Sequence, residues 1–475
     1  MWWRDAVIYQ IYPRSFQDSN GDGIGDLRGI TSRLDYVTGL GADAIWLSPI
    51  YPSPNQDFGY DVSDYENVAP EYGTLTDFDD LLAAAHARNL RVILDFVPCH
   101  TSIEHPWFRE RPDFYFWADA PPNNWQAAFG GSAWERDPQT GRYYLHSFFP
   151  EQADLNWRNP ELRAGVTKAL KFWLARGADG FRLDAIDRLM KDPDLRDDPP
   201  AAESFPLPLH SEYARLSHVH SANAPDIGTA LAAVRDAVED HLLIGEAYLP
   251  TAQLRPYLES LDVVFAFEAM NAGPDAARLI QTITAAAATG KAGWVLSNHD
   301  FTRFATRFKD NLRAALTLSL MLPGPAFAFQ GDELGTPDGP GTKPPLDRHD
   351  RDRFRHPLPW DDSPHNGFTR GAPWLPDFRP PEGSVASQEH NPHSVLELIR
   401  RLIALKRWLR AEPLQFNPSP PQTVLMNRGE YMIAINLGDN PVAIRRPGEL
   451  VLEAAPGDGG DPATLPAHGA WIALM

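Results

Sequence analysis

The chain holds a single cysteine, Cys99, in 475 residues. One thiol excludes an internal disulfide framework and any metal cage built from several cysteines. No apolar run approaches the roughly 20 residues that a membrane span needs. The opening MWWRDAVIYQIYP has no basic stretch followed by a plain apolar run, so no secretory signal is expected and a cytoplasmic protein is. Positive charge is also scarce. Lys and Arg number 43 against 63 Asp and Glu, a formal net charge of −20. That balance argues against nucleic acid or an anionic membrane as the main partner. A glycine-rich phosphate turn after the first apolar run is missing too, which disfavours a doubly wound dinucleotide fold.

What is present describes an ordinary globular protein, with 43% apolar and 22% charged residues. The 45 prolines predict long ordered loops. One unit recurs along the chain: a short apolar run, a polar residue at its end, then a helical stretch. The runs are Val7–Ile11, Ala44–Leu47, Val92–Phe96, Gly180–Leu183, Leu242–Ile244, Val263–Phe267, Trp294–Leu296 and Ala326–Phe329. Apolar residues on consecutive positions mark strands buried on both faces, as in a parallel sheet. Helices are predicted over Asp77–Leu90, Glu161–Arg176 and Val395–Arg410, the last opened by a Ser394/Glu397 capping box.

Eight such runs alternating with helices predict an α/β fold, a (β/α)8 TIM barrel formed by residues 1–97 and 161–412. Residues 98–160, rich in Trp, Phe, Tyr and Pro, break the repeat and read as an inserted subdomain after the third strand. Residues 332–390 read as a long loop after the eighth strand. From 413 to 475 short alternating runs such as Tyr431–Asn436 and Leu450–Glu453 predict a C-terminal all-β domain, expected to be a β-sandwich.

In a barrel the ligand sits at the carboxyl ends of the strands. There the sequence places Asp95 and His100, Arg182 and Asp184 in GFRLDAID, Glu246, and His299 and Asp300 in SNHD. Each alone has a plainer role, since an Asp after a strand often caps the next helix. Together on one rim they are costly unless a ligand or reaction uses them. A pocket rich in carboxylates and aromatics, without metal-ligand spacing, points to sugar chemistry. Retaining glycoside cleavage needs one carboxylate as nucleophile and one carboxylic acid as proton donor, ~5–5.5 Å apart. Arg182 lies two residues before Asp184, on the same strand face, and supplies its counter-charge.

The segments WWRDAVIYQIYPRSFQDSNGDGIGDLRGI, DFGYDVSDY, DFVPCHTS, QADLN, GFRLDAID, GEAY, SNHD and QGDELG, in this order, resemble the α-amylase family of glycoside hydrolases (family 13), in its α-glucosidase and oligo-1,6-glucosidase branch. The resemblance implies that Asp184 is the nucleophile, Glu246 the general acid/base and Asp300 the stabiliser that binds sugar hydroxyls. It implies that His100, Arg182 and His299 hold the terminal glucose, that Asp57 and Tyr60 grip and stack on it, and that Phe148 is an aromatic platform. RDRFRHPLPW resembles the family's RDxxRTPMxW, which makes Arg351 a sugar ligand, although His356 and Leu358 depart from the pattern. Cys99 stands where the family usually has Asn. A thiol cannot replace the amide's hydrogen bonds, so local repacking is expected there.

DSNGDGIGD sets Asp18, Asn20, Asp22, the Ile24 carbonyl and Asp26 at alternating positions, a pattern that suits a hard cation. In this branch of the family the segment binds a structural Ca²⁺. Ca²⁺, or Mg²⁺, is expected far from the sugar, and no organic cofactor. A loop closed by its own Asx turns is the plainer alternative. Ala185 follows the nucleophile. In the family valine there accompanies α-1,6 preference, and smaller residues accompany α-1,4 preference. The expected activity is therefore an exo-acting, retaining α-1,4-glucosidase on maltose and short maltooligosaccharides. α-1,6 cleavage, isomerisation to trehalose and glucosyl transfer, or action on sucrose, are the alternatives on the same site.

Overall fold

The computed structural model of the chain describes residues 1–201, 212–455 and 463–475. The eight apolar runs form β1 (Val7–Ile11), β2 (Ala44–Leu47), β3 (Arg91–Phe96), β4 (Gly180–Leu183), β5 (Leu242–Gly245), β6 (Val263–Phe265), β7 (Ala292–Val295) and β8 (Ala326–Phe329). They close a parallel barrel in the order β1-β8-β7-β6-β5-β4-β3-β2. Apart from the exposed Arg91, every residue of these strands is buried, as two covered faces require. The sixth run ends two residues early because Phe267–Met270 turns into a short helix. The seventh is displaced toward its N-terminal side, where Ala292 and Gly293 extend it.

The chain divides into two compact units. The one made of Trp46–Ala83 and Arg91–Phe265 holds β3 to β6 and the inserted segment. In that segment His100–Ser102 pairs with Gln152–Asp154, and Trp117–Ala118, Tyr143–Leu145 and Trp134–Arg136 form a second small sheet. Its aromatics mostly pack on one another. Trp125 and Trp134 are buried and stacked, Trp117 lies against Phe108 and Tyr144, and Trp107 against Phe114.

Helix α1 (Leu75–His86) starts earlier than its periodicity predicts, because Thr74 and Asp77 cap each other. It stops before Leu90, where Asn89 takes a positive φ. Helix α2 (Pro160–Arg176) begins at Asn159, whose side chain accepts from the Glu161 and Leu162 amides, and ends at Gly177 at φ 111°.

The other unit, Met1–Ile45 with Ala84–Leu90 and Ala266–Met475, holds β1, β7 and β8 and the C-terminal region. In it α3 (Val395–Trp408) is capped by Ser394, which accepts the Glu397 amide. The expected return bond of a capping box goes elsewhere: Glu397 accepts from His390 N–H.

The C-terminal strands β9 (Leu414–Asn417), β10 (Thr423–Arg428), β11 (Tyr431–Asn436), β12 (Glu449–Ala454) and β13 (Ala470–Leu474) form one antiparallel sheet, ordered β9-β10-β11-β13-β12. This corrects the expected sandwich: among the described residues there is no second stacked sheet. Helix Leu312–Met321 packs against the sheet instead. Leu425, Ala434, Trp471 and Ala473 meet Ile444 and Leu465 on one face, while Val424, Met426, Ile433, Ile435 and Ile472 are buried on the other. No described helix is long and apolar enough to cross a membrane.

Candidate active site

The parallel register aligns the chemistry within the first unit. Asp95 on β3 and Ile244 on β5 both sit opposite Arg182 on β4. Asp184 follows the last residue of β4, its amide bonded to the Phe96 carbonyl. Glu246 follows the last residue of β5, its amide bonded to the Leu183 carbonyl. The two acids therefore emerge side by side from adjacent strand ends.

One buried guanidinium organises them. Arg182 Nη1 donates to Asp95 Oδ1 at 2.8 Å and to Asp184 Oδ1 at 2.7 Å. Its Nη2 lies 2.5 Å from Glu246 Oε1, an ion pair outside hydrogen-bond alignment. The guanidinium also covers the Trp46 ring, 5.2 Å from its centroid. Burial works against the charge on Arg182, but Asp95, Glu246 and Asp184 more than offset it and raise its pKa.

Asp95, the most deeply enclosed, is pushed up to about 7, first by burial and further by Asp184, against the pull of Arg182. Its Oδ2 accepts from Trp46 Nε1 and from the Tyr60 hydroxyl at 2.9 Å, which ties Tyr60 to the same cluster.

His100 is buried, its Nε2 3.1 Å from the Tyr60 carbonyl and 3.0 Å from Gln152 Nε2. Burial lowers its pKa, against the pull of Asp184, Asp154 and Asp57. Gln152 also donates to Asp57 Oδ2 at 2.9 Å. The Phe148 ring lies 5.3 Å from the His100 ring, with the Arg188 guanidinium 5.1 Å away. The structure thus brings Asp57, Tyr60, His100, Phe148, Arg182, Asp184 and Glu246 into one connected group.

In the other unit His299 and Asp300 follow β7. Gln10 Nε2 lies 2.9 Å from His299 Nδ1, and Tyr12 stacks on the ring at 5.9 Å. Asp300 Oδ1 accepts from Arg351 at 2.9 Å and from Arg355 at 3.2 Å. Arg351 is clamped in turn by Asp347, through Nε at 2.9 Å and Nη2 at 2.6 Å. Burial opposes ionisation of Asp347, yet Arg351 and Arg355 hold its carboxyl well below the usual carboxylate range. Arg351 and Asp300 are therefore partners, a pairing the RDRFRHPLPW segment did not indicate.

Sequence reasoning missed several residues here. Tyr248 donates its hydroxyl to Glu246 Oε1 at 3.0 Å. It stands two positions after Glu246, the spacing that had drawn attention to Arg182 and Asp184. Arg355 stands in the same RDRFRHPLPW segment as Arg351, which was the signal available for it. Gln152 stood in the QADLN segment, but its own role was not legible because its partners, Asp57 and His100, are distant in the chain.

In DSNGDGIGD the side chains wind the loop. Asp18 accepts from the amides of Asn20, Gly21 and Gly23 and from the Thr369 hydroxyl. Asp22 accepts from the Ile24 amide, and Asp26 accepts from Ser19 and caps the next turn through Gly29. The donor set is all oxygen and fits a hard cation. The aspartate carboxylates of Asp18, Asp22 and Asp26 do not gather within 4.8 Å of one another.

Comparison with known proteins agrees with this chemistry. Residues 10–411 match the family described as alpha amylase, catalytic domain. A probable alpha-glucosidase of Rhizobium meliloti (strain 1021) is 41% identical over 456 residues, 86% of this chain and 82% of that protein. An oligo-1,6-glucosidase of Parageobacillus thermoglucosidasius is 37% identical over 481 residues, 86% of this chain and 84% of the relative. The crystal structure of the alpha-glucosyl transfer enzyme XgtA superposes with a TM-score of 0.91 at 36% identity, covering 100% of this chain and 99% of the other.

Proposed function

Because the chain belongs to the α-amylase family of glycoside hydrolases, we propose that it is a retaining, exo-acting α-glucosidase that releases terminal α-1,4-linked glucose from maltose and short maltooligosaccharides. The observation that carries this reading is the shared guanidinium: Arg182 holds Asp184 and places Glu246 within 2.5 Å of its other nitrogen. Two acids held on one guanidinium can flank a single bond.

In this reading Asp184 attacks the anomeric carbon while Glu246 protonates the departing glycosidic oxygen. The product is a covalent glucosyl-enzyme. Glu246, now a carboxylate, takes a proton from water, which attacks the same carbon and releases α-glucose with retention. In this reading Arg182 holds the two acids in place through its two terminal nitrogens. Asp57, Tyr60, His100 and Phe148 bind the terminal glucose, with the inserted segment 98–160 as their wall. Asp300, His299 and Arg351 are assigned sugar-binding roles by their motifs, and the Asp347 clamp holds Arg351 on Asp300.

In this reading linkage preference follows from Ala185, the buried residue after the nucleophile, which carries less bulk than a valine. Initial rates on maltose, isomaltose, sucrose and trehalose, measured side by side with product analysis, test the proposal. Maltose should be cleaved fastest, with glucose as the product. Faster isomaltose cleavage would falsify the linkage assignment. The second reading is glucosyl transfer, favoured by the likeness to XgtA; it predicts glucosides of the acceptor rather than free glucose.

The DSNGDGIGD loop is proposed to bind Ca²⁺ or Mg²⁺ through Asp18, Asn20, Asp22, the Ile24 carbonyl and Asp26. The ion would draw these oxygens together and add stability, with no part in the reaction.

A further inference from the structure

Phe148, the aromatic platform of the reading above, is only half-buried and is braced by three neighbours. The His100 and Phe129 rings each lie 5.3 Å from its centroid, and the Arg188 guanidinium lies 5.1 Å away. Arg188 arrives there because the chain turns sharply after Asp184: Ala185 takes a φ of 44°, and the 3-10 turn Ile186–Arg188 follows. A buried cation ordinarily spends its donors on carboxylates or carbonyls. Arg188 is buried, yet its Nε has no hydrogen-bond partner among the described residues, and Nη2 donates to the Tyr213 hydroxyl. What it has instead is aromatic faces, for it lies over the Tyr213 ring at 4.9 Å as well as over Phe148. A guanidinium suits this setting, being flat, permanently charged and more weakly hydrated than an ammonium. Burial works against the charge, but Tyr213 and Asp187 more than offset it and raise the pKa of Arg188.

Tyr213 is itself held in place. Its ring stacks on His218 at 3.6 Å, with 10° between the planes. The His218 ring is fixed by Ser221 Oγ, 2.9 Å from Nδ1, and by the Tyr213 carbonyl, 2.9 Å from Nε2. Asp198 in turn accepts the Ser221 hydroxyl at 2.5 Å. Arg188 thus joins the half-buried Phe148 ring to a well-anchored ring distant in the chain. We propose that Arg188 is a positioning residue: by bridging Phe148 to Tyr213 it sets the tilt of the sugar platform, and through it the affinity for the terminal glucose. The inference rests on the reading of Phe148 as that platform. A platform contact is present in the bound substrate and in the transition state alike, so losing its alignment raises KM and leaves kcat nearly unchanged. Released glucose rests on the same ring, so its inhibition constant rises with KM.

Steady-state kinetics on maltose, with glucose as the inhibitor, test this in the full-length protein. Arg188→Met removes the charge and the flat head while keeping an unbranched apolar stem. It should raise KM and the glucose inhibition constant together, by at least about fivefold, with kcat changed by less than about twofold. Arg188→Lys keeps a cation near the rings without the planar fork, and should recover part of the loss. In a Phe148→Leu background Arg188→Met should add little, because its effect passes through that ring. Effects of the two changes that simply add overturn the proposal. So does an unchanged glucose inhibition constant in Arg188→Met, since a merely structural role would lower the melting temperature and leave both constants alone. Should Arg188→Met fail to fold, Tyr213→Leu removes the other end of the bridge and should weaken glucose inhibition in the same direction; no change there overturns the proposal equally. A wild-type protein that cleaves no maltose overturns the glucosidase reading, and this inference with it. An active wild type whose variants keep both constants overturns this inference alone.

Discussion

At the scale of single residues, the site is built by sharing. Arg182 serves Asp95, Asp184 and Glu246 at once, so no one acid can be altered without moving charge among the others. Asp184→Asn keeps the shape and removes the proposed nucleophile. Its glucose release should fall by at least on the order of 10³-fold while circular dichroism and the melting temperature stay near wild type. Unchanged turnover would remove Asp184 from the mechanism. Tyr248 donates its hydroxyl to Glu246, and in the proposed mechanism it orients that acid. Losing an ordinary hydrogen bond costs about 0.5–1.5 kcal/mol, so Tyr248→Phe should lower kcat for maltose roughly two- to tenfold. KM should move little, and an aryl glucoside with a good leaving group, which needs less help from the acid, should be affected less.

At the scale of elements, the strand ends carry the chemistry because β3, β4 and β5 keep a tight register. Gly180 opens β4, and a Cβ there would lie 2.4 Å from the backbone oxygen of Leu242 on β5. That oxygen belongs to the strand ladder and cannot turn aside. Gly180→Ala should destabilise the chain by about 1–3 kcal/mol, read as a lower melting temperature, and should also reduce kcat, since it spreads the two strands that present Asp184 and Glu246. A surface-type effect, with stability and rate both intact, would contradict this account of the register. The DSNGDGIGD loop is the other element with a direct test. Thermal melting in EDTA, then with added Ca²⁺, should show the transition rise with the cation; identical melting curves would leave the loop as a turn closed by its own Asx bonds.

At the scale of the whole molecule, buried acids make stability depend on pH. An unfolded Asp titrates near 3.9, whereas Asp95 in the folded chain is pushed up to about 7 by burial and by Asp184. Between those values the folded state binds the extra proton. Its contribution is therefore full at acidic pH and is lost as pH rises through about 7. Denaturant unfolding at pH 5 and pH 8 should show this loss, and Asp95→Asn, which cannot titrate, should show a smaller difference between the two. An equal difference in the variant would assign the pH dependence to other groups.

Much of this was written in the order of residues. Doubly buried strands announce themselves as consecutive apolar runs, and six of the eight, at β1, β2, β4, β5, β6 and β8, begin at the residue the pattern indicates. Asp184 and Arg182 could be paired from a spacing of two, because strand geometry is local and needs no knowledge of the rest of the chain. Strand ends blurred where capping and neighbouring helices competed, as at Phe265 and Thr74. Contacts across sequence were another matter. That Glu246 meets the same guanidinium as Asp184, that Asp95 reaches Tyr60, and that Gln152 joins Asp57 to His100 depend on which strands lie side by side and in what register. The same holds for the C-terminal sheet, whose second layer is a helix rather than more strands. Local periodicity is set by the backbone's own repeat, whereas partners are chosen by packing, and packing is a property of the folded chain alone.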